Sequence, residues 1–275
     1  MTTNMDNKVV AGFGDEWSRF DQTGLSAEEL DRMFDNYFNI FPWNKLPPDA
    51  VGFDLGCGSG RWAKLVAPRV GKLHLFDPSE DALSVARRNL AGVANCEFTL
   101  AGAGKIPLDD ESCDFGYSLG VLHHIPDTEA GLRECVSKLK RGAPFLLYLY
   151  YSFDNRPAWF RAIWQISNVP RRVICRLPHG LRFLISQLFA AMVYFPLARI
   201  AFFLEKLGVD VASFPLSQYR NNSFYVMRND ALDRFGTRLE KRFSRDEIRA
   251  MMERSGLERV TFSTTSFWTA VGYRS

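Results

Sequence analysis

A glycine-rich run between an apolar segment and a helix-like segment constrains this chain more than any other feature. The run reads D-L-G-C-G-S-G and occupies residues 54–60. Residues 50–53 before it have the character of a short buried strand, and residues 61–66 after it that of a helix start. Glycines at such a junction let a ligand approach the backbone closely, because no Cβ stands in the way. The run therefore predicts a ligand-binding turn at a strand end.

The glycine spacing excludes three other motifs. A dinucleotide fingerprint needs glycine at the sixth position from Gly56, where Arg61 stands instead. A phosphate-binding P-loop needs a following Gly-Lys-Ser/Thr, and a nucleophile elbow needs glycine at positions 57 and 61; neither condition is met. Asp54 ahead of the glycines instead places a carboxylate, or a water that it orders, where a cationic group would sit.

The run resembles the first motif of the class I S-adenosylmethionine (SAM)-dependent methyltransferases; a glycine-rich turn in another α/β domain is the alternative. The resemblance implies SAM as cofactor and S-adenosylhomocysteine as product. It implies cofactor contacts from Asp54, Gly56, Gly58 and Gly60. Arg61 could meet the methionine carboxylate of SAM, or it could lie on a solvated helix face.

The rest of the chain alternates strand-like and helix-like segments over residues 51–150, which predicts an α/β fold with a mostly parallel, doubly wound sheet. The alternation resumes near residue 244 with a capping box, Ser244 to Glu247, and two β-like runs at 258–263 and 267–273. This order is similar to the seven-stranded Rossmann-like methyltransferase sheet with its C-terminal antiparallel hairpin. We expect four parts: an N-terminal helical cap (1–48), a SAM-binding core (49–150), a helical insert or lid (151–225) and a C-terminal part of the core (226–275).

Composition narrows the class of protein. The chain has 275 residues and a net charge of +3, too small by itself to indicate a nucleic-acid partner. Its five cysteines are scattered without a C-x-x-C pair, so we expect no structural zinc, no other metal and no disulfide framework. No secretory signal pattern opens the sequence. A reduced, cytoplasmic protein is the expectation.

Asp77 follows a predicted strand at 72–76, about twenty residues after the glycine run. A carboxylate at a strand end can accept hydrogen bonds from both ribose hydroxyls of an adenosine. The resemblance gives Asp77 this role and packs Pro78 against the adenine. An acidic residue favoured by a helix dipole is the alternative.

Two later loops carry further cofactor contacts. After the third strand, the family often has an aspartate near the adenine amino group, but Gly102 stands at this position. Adenine must then be contacted by backbone groups around Ala103 or by a side chain from elsewhere. After the fourth strand, residues 118–127 look like the motif of the family that includes the quinone-biosynthesis methyltransferases. Ser118 and Leu119 would line the methionine end with backbone atoms.

His123 and His124 follow in the same segment, near the edge of the sheet where ligands bind. Either could take the proton of a hydroxyl, amine or thiol as it attacks the methyl group. A structural role is the alternative, since positioning alone accounts for much of this chemistry. The N-terminal segment 13–20 is aromatic and resembles an extension that folds over the cofactor. Its Trp17 would attract a sulfonium through cation–π interaction, or simply pack a helix on the core.

The insert differs in character from the rest of the chain. Residues 151–215 carry eight basic and three acidic side chains, a net charge of +5. No residue between Arg182 and Arg199 is charged, but this stretch of sixteen residues is shorter than the roughly 20 apolar residues that span a bilayer. We therefore do not expect it to span. Three interpretations stay open: a lid over an apolar substrate pocket, a membrane-surface element with its basic residues over 156–206, and a homodimer interface.

The segment after the insert is polar and aromatic, and loops of this composition often contact ligands. It offers Tyr219, Arg220 and Tyr225 as candidate substrate contacts; a plain surface loop is the alternative. Together these features predict a SAM-dependent methyltransferase acting on oxygen, nitrogen, carbon or sulfur of a small, partly apolar molecule. The alternative function is a non-catalytic SAM- or nucleoside-binding protein that docks on a membrane or partner through its basic apolar insert.

Overall fold

The computed structural model describes residues 4–265 and 267–275, and these separate into two compact units. The core unit comprises residues 4–22, 32–152 and 239–275; the helical unit comprises 23–31 and 153–238. The predicted boundaries at 48 and 225 therefore shift. Residues 226–238 group with the helical unit rather than with the C-terminal part of the core, and the predicted N-terminal cap is divided between the two units.

The core unit contains one sheet of seven strands among the described residues. The strands are β1 (Val51–Leu55), β2 (Lys72–Asp77), β3 (Cys96–Leu100), β4 (Phe115–Leu119), β5 (Pro144–Tyr148), β6 (Leu257–Phe262) and β7 (Thr269–Arg274). Their spatial order is β3-β2-β1-β4-β5-β7-β6. Strands β1 to β5 pair in parallel, whereas β7 runs antiparallel to both β5 and β6. The predicted doubly wound sheet with a C-terminal hairpin is confirmed.

The described helices follow the predicted rhythm. They are α1 (Asn7–Arg19), α2 (Ala27–Phe38), α3 (Ala63–Val66), α4 (Glu80–Asn89), α5 (Thr128–Ser137), α6 (Ala158–Ile174), α7 (His179–Phe189), α8 (Phe195–Lys206), α9 (Phe224–Gly236) and α10 (Arg245–Arg254). A short π-helical segment, Ala190–Tyr194, joins α7 to α8. The predicted capping box at α10 is present, with the Ser244 hydroxyl and the Glu247 carboxylate each accepting from the other's backbone N–H. Ser266, placed by the sequence between the last two strands, lies outside the described residues.

Burial explains why the strand sequences are so apolar. All five residues of β5 are buried, as expected for a strand covered on both faces. Phe53 and Phe145 lie in one buried cluster together with Ile248 and Met252 of α10, so the C-terminal helix completes the layer over the sheet. The strand order reverses between β1 and β4, since β2 and β3 lie on one side of β1 and β4 and β5 on the other. Ligands of open α/β sheets bind at such a point, outside the carboxyl ends of the strands.

In the helical unit, α9 carries much of the core. Met227, Ala231 and Phe235 of α9 lie in one buried cluster with residues of the α7–α8 helix. Two arginines that the sequence analysis counted in the basic insert are structural. Arg182 donates to the Gly236 carbonyl at 2.8 Å, and Arg171 donates to the Thr237 carbonyl at 2.7 Å. Both satisfy carbonyls at the C-terminal end of α9.

The helix that contains the apolar stretch of the insert is longer than the uncharged run of residues that the sequence shows. A continuous helix extends over 28 residues from His179 to Lys206, including the π-helical segment, and it is long and apolar enough to cross a membrane by length and composition. The sequence expectation counted only the residues between Arg182 and Arg199. Those two arginines lie within the helix because each bonds backbone carbonyls of its own unit.

Candidate active site: a cofactor cleft in the core unit

The glycine run forms a tight turn directly after β1. Gly56 and Gly58 adopt φ angles of +79° and +53°, a region that residues with a Cβ rarely enter. A Cβ on Gly56 would come within 2.3 Å of Val121, and one on Gly58 within 2.8 Å of the Trp17 indole. The backbone N–H groups of Gly56 and Cys57 both donate to the Phe76 carbonyl, at 2.7 and 3.0 Å. These bonds hold the turn against the end of β2.

Asp77 is fixed at the end of β2 by two backbone donors. Its Oδ2 accepts from the Gly58 N–H at 2.9 Å, and its Oδ1 accepts from the Ser79 N–H at 2.9 Å. Burial raises the pKa of Asp77 to about 6, although both hydrogen bonds oppose the rise. Asp77 therefore presents an oriented, partly desolvated carboxylate beside the glycine turn.

Asp54, the last acidic residue of β1 before the turn, is completely enclosed. Burial raises the pKa of Asp54 to about 8; the Tyr117 hydroxyl opposes the rise, and the Asp77 carboxylate adds to it. Its Oδ2 has no hydrogen-bond partner among the described residues. An unsatisfied buried carboxylate of this kind is stabilised when a cationic group or a bridging water is supplied.

A cleft that is partly open to solvent lies at the carboxyl ends of the strands. Three stretches line it: the N-terminal segment, the loops after β1 and β2, and the loops after β3 and β4. The lining residues are Asn4, Met5, Asp6, Val9, Val10, Phe13, Trp17, Leu55, Gly56, Asp77, Pro78, Gly102, Ala103, Leu119, Gly120, Val121, His124 and Ile125.

The N-terminal segment is fastened over this cleft from both ends. Near the start, the Asn4 amide donates to the Asp127 carbonyl at 2.7 Å and accepts from the Asp127 N–H at 2.8 Å. Asp6 caps α1 by accepting from two backbone N–H groups of its first turn. Farther along, Gly14 allows α1 to pack closely on the start of α4, since a Cβ there would meet the Ser79 hydroxyl at 2.7 Å. Helix α1 thus forms one wall of the cleft.

The two adjacent histidines have different environments. His124 lines the cleft, and its ring lies 5.0 Å from that of Phe13. Its Nδ1 lies 2.6 Å from the Leu239 carbonyl oxygen. Since a carbonyl only accepts, Nδ1 carries the proton, and Nε2 of the neutral ring is an acceptor. This tautomer suits a general base.

His123 is completely buried and does not line the cleft. Its ring lies 3.9 Å from the rings of both His124 and Tyr150. Burial holds the pKa of His123 well below its usual range, and the neighbouring His124 and Arg242 act in the same direction. His123 is therefore a neutral packing partner of the His124 ring.

The cleft brings together residues from each of the predicted cofactor motifs. Those that line it directly are Trp17, Gly56, Asp77, Pro78, Ala103, Leu119 and His124. The others support it from behind: Asp54, Gly58, Gly60, Arg61, Ser118 and His123 are not among its lining residues. Gly60 packs towards Leu90, the Ser118 hydroxyl donates to the Leu55 carbonyl at 3.0 Å, and the Arg61 guanidinium lies over the Trp62 ring at 4.3 Å.

The predicted substrate contacts belong to the helical unit, where each takes part in packing. Arg220 pairs with Glu205 through two hydrogen bonds of 2.8 and 2.7 Å. The Tyr219 ring lies 5.5 Å from that of Tyr194. The Tyr225 ring lies so close to Gly24 that a Cβ there would overlap it. These contacts give the three residues structural roles.

Asn4, Met5, Asp6, Val9 and Val10 also line the cleft, and the sequence patterns did not single them out. The signal that would have found them is the amphipathic pattern of α1, whose buried Val9 lies on the same helix face as Phe13. Only the aromatic residues of this helix, from Phe13 onward, stand out by composition. Within the residues that the structure describes, His, Cys, Asp and Glu side chains do not gather in threes around a possible metal position.

Comparison with known proteins agrees with this arrangement. Residues 53–147 match the Methyltransf_11 family model, described as a methyltransferase domain. The ubiquinone biosynthesis O-methyltransferase of Idiomarina loihiensis is 25% identical over 182 residues, covering 55% of this chain and 71% of the relative. A demethylmenaquinone methyltransferase of Clavibacter sepedonicus is 33% identical over 94 residues, covering 34% of this chain and 38% of the relative.

A similar fold is found in a solved structure, a complex between the Haloferax volcanii Trm112 methyltransferase activator and a methyltransferase. The match has a TM-score of 0.55 at 16% identity and covers 96% of each chain. The chain spans about a third of the length of the first curated relatives that it matches, 30% and 33%.

The strand order, the glycine turn and the cleft at the switch point define a Rossmann-like methyltransferase fold. Residues 53–147 resemble a methyltransferase domain, a kind of domain that uses SAM as its cofactor. The residues present fit that cofactor. The glycine turn offers a cradle that a Cβ would fill, Asp77 presents a carboxylate, and Asp54 has an oxygen without a partner among the described residues.

Proposed function

We propose that this protein transfers a methyl group from SAM to a small, partly apolar acceptor at oxygen, nitrogen, carbon or sulfur. The observation that carries the proposal is the fixed position of the Asp77 carboxylate beside the Gly56–Gly60 turn, at the edge of an otherwise largely apolar cleft. This combination suits a ligand with a diol at one end and an activated apolar group at the other.

The cofactor supplies an electrophilic methyl group on a positively charged sulfur. The chain's own residues bind and orient it. Asp77 accepts the two ribose hydroxyls, and Pro78 with Ala103 forms the adenine wall. Asp54 balances the cationic methionine end, directly or through a water. Trp17, on α1, contributes an aromatic face to a cleft that receives a sulfonium, which suits a cation–π interaction.

His124 is the candidate general base. Its protonated Nδ1 is bonded to Leu239, so the acceptor nitrogen is Nε2 of a residue that lines the cleft. A hydroxyl, amine or thiol held there would lose its proton to Nε2 as it attacks the methyl carbon. His123 acts through its neighbour: it packs against the imidazole and, being neutral, adds no competing positive charge.

The character of the acceptor follows from the walls of the cleft. Val9, Val10, Phe13, Val121 and Ile125 are apolar and line it. Such walls favour an acceptor with a hydrophobic body and one nucleophilic group. The relatives named for ubiquinone biosynthesis and for demethylmenaquinone support placing isoprenoid quinols first among the acceptors to be tested.

The test is a methyl-transfer screen with SAM and panels of phenols, amines, thiols and isoprenoid quinols, in which S-adenosylhomocysteine formation is measured. We expect acceptor-dependent turnover with at least one apolar panel member, and its loss in the Asp77→Asn variant. The alternative, a non-catalytic SAM-binding protein, predicts calorimetric binding of SAM without turnover on any panel. Failure of SAM to bind at all would contradict both functions.

A further inference from the structure

Helix α6 presents an apolar face to solvent. Trp159, Ile163, Ile166, Val169 and Val173 are all exposed, and Ile166 retains 71% of its accessible surface. They recur at intervals of three and four residues, which places them on one side of the helix. The opposite side is used inside the helical unit, where Arg171 and Ile174 are buried. A row of exposed branched and aromatic side chains of this length is unusual on a solvated helix.

The α7–α8 helix presents a second such face. Leu181, Leu184, Leu188 and Met192 follow one another at steps of three and four residues, and Met192 is 73% exposed. The face continues through the exposed Ile200, Phe203 and Leu207. Met192 and Ile200 are eight positions apart, which in a regular helix would turn the face by about 80°. The π-helical segment 190–194 takes up about one extra residue and so brings the two halves back into line.

The other side of the α7–α8 helix packs against the helical unit, which argues against a transmembrane role. Ser186, Ala190 and Ala198 are buried within the helical unit. Arg199 donates to the carbonyls of Arg220 and Asn222 at 2.9 and 3.1 Å. Here only one side is available, so a helix lying in the plane of a membrane surface fits the exposure pattern.

Cations border these apolar faces. Arg161 and Arg172 are exposed on α6, Arg176 is exposed just after its C-terminal end, and Lys206 is exposed at the end of α8. On a helical projection Arg172 lies on the flank of the apolar face and Arg161 on the polar side away from it. None of the four takes part in an ion pair among the described residues. Of the three acidic residues in 151–215, Glu205 is already paired with Arg220.

We propose that these two helix faces form a docking surface for an anionic lipid bilayer, with the apolar side chains at the acyl boundary and the four cations at the headgroups. Apolar faces bordered by cations are the pattern of helices that lie in a membrane interface. Self-association would bury the same apolar residues, but it would also bring the cations of two copies together without acidic partners. The lipid surface supplies negative charge to balance the net +5 of residues 151–215.

The test measures co-sedimentation of the full chain with vesicles of phosphatidylcholine alone and of phosphatidylcholine mixed with phosphatidylglycerol. We expect binding to the mixed vesicles, weaker binding as salt is raised, and little binding to phosphatidylcholine alone. Ile166→Glu and Met192→Glu should each reduce the partition coefficient at least about tenfold. In each variant a charge replaces an apolar side chain that would be buried in the bilayer when the protein binds. Arg172→Glu should reduce it at least about fivefold, since each basic residue near an anionic surface contributes about that factor.

Matched controls come from the core unit. Leu100→Glu replaces another exposed aliphatic side chain, 56% exposed on β3, and Arg88→Glu reverses an exposed charge on α4. Both variants should bind vesicles as the unaltered protein does. Absence of binding to the mixed vesicles would overturn the proposal. So would equal losses in Ile166→Glu and Leu100→Glu, or a dimer in sedimentation equilibrium that Ile166→Glu converts to a monomer without any vesicle binding by either form.

Discussion

The indole of Trp17 lies against Gly58, so that a Cβ built on Gly58 would come within 2.8 Å of the ring. One residue belongs to α1 and the other to the turn after β1. Their contact joins the N-terminal helix to the part of the core that carries the cofactor motif. The missing side chain at position 58 therefore serves two purposes: it permits a positive φ, and it makes room for the aromatic wall.

A Gly58→Ala substitution separates these purposes. We expect it to lower the free energy of unfolding by about 1–2 kcal/mol for the left-handed backbone and by a further amount for crowding against Trp17. Gly92→Ala is the matched control, because Gly92 has φ +89° and its Cβ would meet nothing within 4 Å. Urea unfolding of Gly92→Ala should show only the loss of unfolding free energy that comes from the left-handed backbone.

The crowding part can be checked by a double-mutant cycle. In a Trp17→Ala background, Gly58→Ala should cost about as much as Gly92→Ala, because the ring that opposes the new methyl group is gone. If Gly58→Ala costs the same in both backgrounds, the indole does not lie on Gly58 in solution.

Cofactor affinity should depend on pH through the two buried carboxylates. Their pKa values, about 8 for Asp54 and about 6 for Asp77, lie above the usual 3.8 because of burial. Cationic and hydroxyl groups of SAM favour the ionised carboxylates, so binding releases protons below these values. Affinity should therefore rise between about pH 5 and pH 8, by up to about tenfold per pH unit for each proton released. Calorimetry in buffers of different ionisation enthalpy measures both the affinity for SAM and the number of protons released on binding.

The stability of the cofactor-free protein should change in the opposite direction. The folded state holds more protons than the unfolded state between about pH 4 and pH 8, because both carboxyls have raised pKa values. Their contribution is fully present below the unfolded pKa and is lost as pH rises through the folded values. Asp54→Asn should reduce the pH dependence, near pH 8, of both the affinity for SAM and the stability of the cofactor-free protein. Profiles that keep their slope near pH 8 in this variant would contradict the assignment to Asp54.

His124→Gln should lower kcat about 10²–10⁴-fold with acceptors that must lose a proton, and leave SAM affinity nearly unchanged. The reason is that Nε2 would act on the acceptor, whereas the proposed cofactor contacts come from other residues, chiefly Asp77 and Pro78. His179→Gln, at the exposed start of α7, is the control and should have no effect on kcat. Steady-state turnover assays across a range of pH measure the difference in kcat between the two variants. An unchanged kcat in His124→Gln with a hydroxyl acceptor would assign His124 a packing role only.

Much of the fold could be predicted because its signals are local. Ser244 caps α10 as the predicted capping box requires, and the strand predicted at 72–76 is β2, Lys72–Asp77. The end of the helical unit could not be predicted this way. Residues 226–238 continue a helix whose partners, Arg171 and Arg182, lie more than fifty positions earlier. Only tertiary packing decides to which unit such a helix belongs.

The part of the candidate site that lies at the carboxyl ends of strands could be predicted from the sequence. Gly56, Asp77 and Leu119 follow β1, β2 and β4, and parallel strands bring such positions to one edge. The N-terminal contribution was only partly visible, because the Asn4–Asp127 pair joins residues 123 positions apart. The packing contacts of the polar segment at 219–225 were not visible in the sequence for a similar reason. Its partners, Glu205 and Tyr194, are distant enough that composition alone does not reveal them.

The most direct test of the account is calorimetric titration of S-adenosylhomocysteine into the unaltered protein, Asp77→Asn and the exposed control Asp109→Asn. We predict binding of one equivalent by the unaltered protein and by Asp109→Asn. Asp77→Asn should bind about 10–100-fold more weakly, since charged hydrogen bonds contribute about 1.5–3 kcal/mol. Equal affinity in Asp77→Asn and Asp109→Asn would contradict the placement of the cofactor in this cleft.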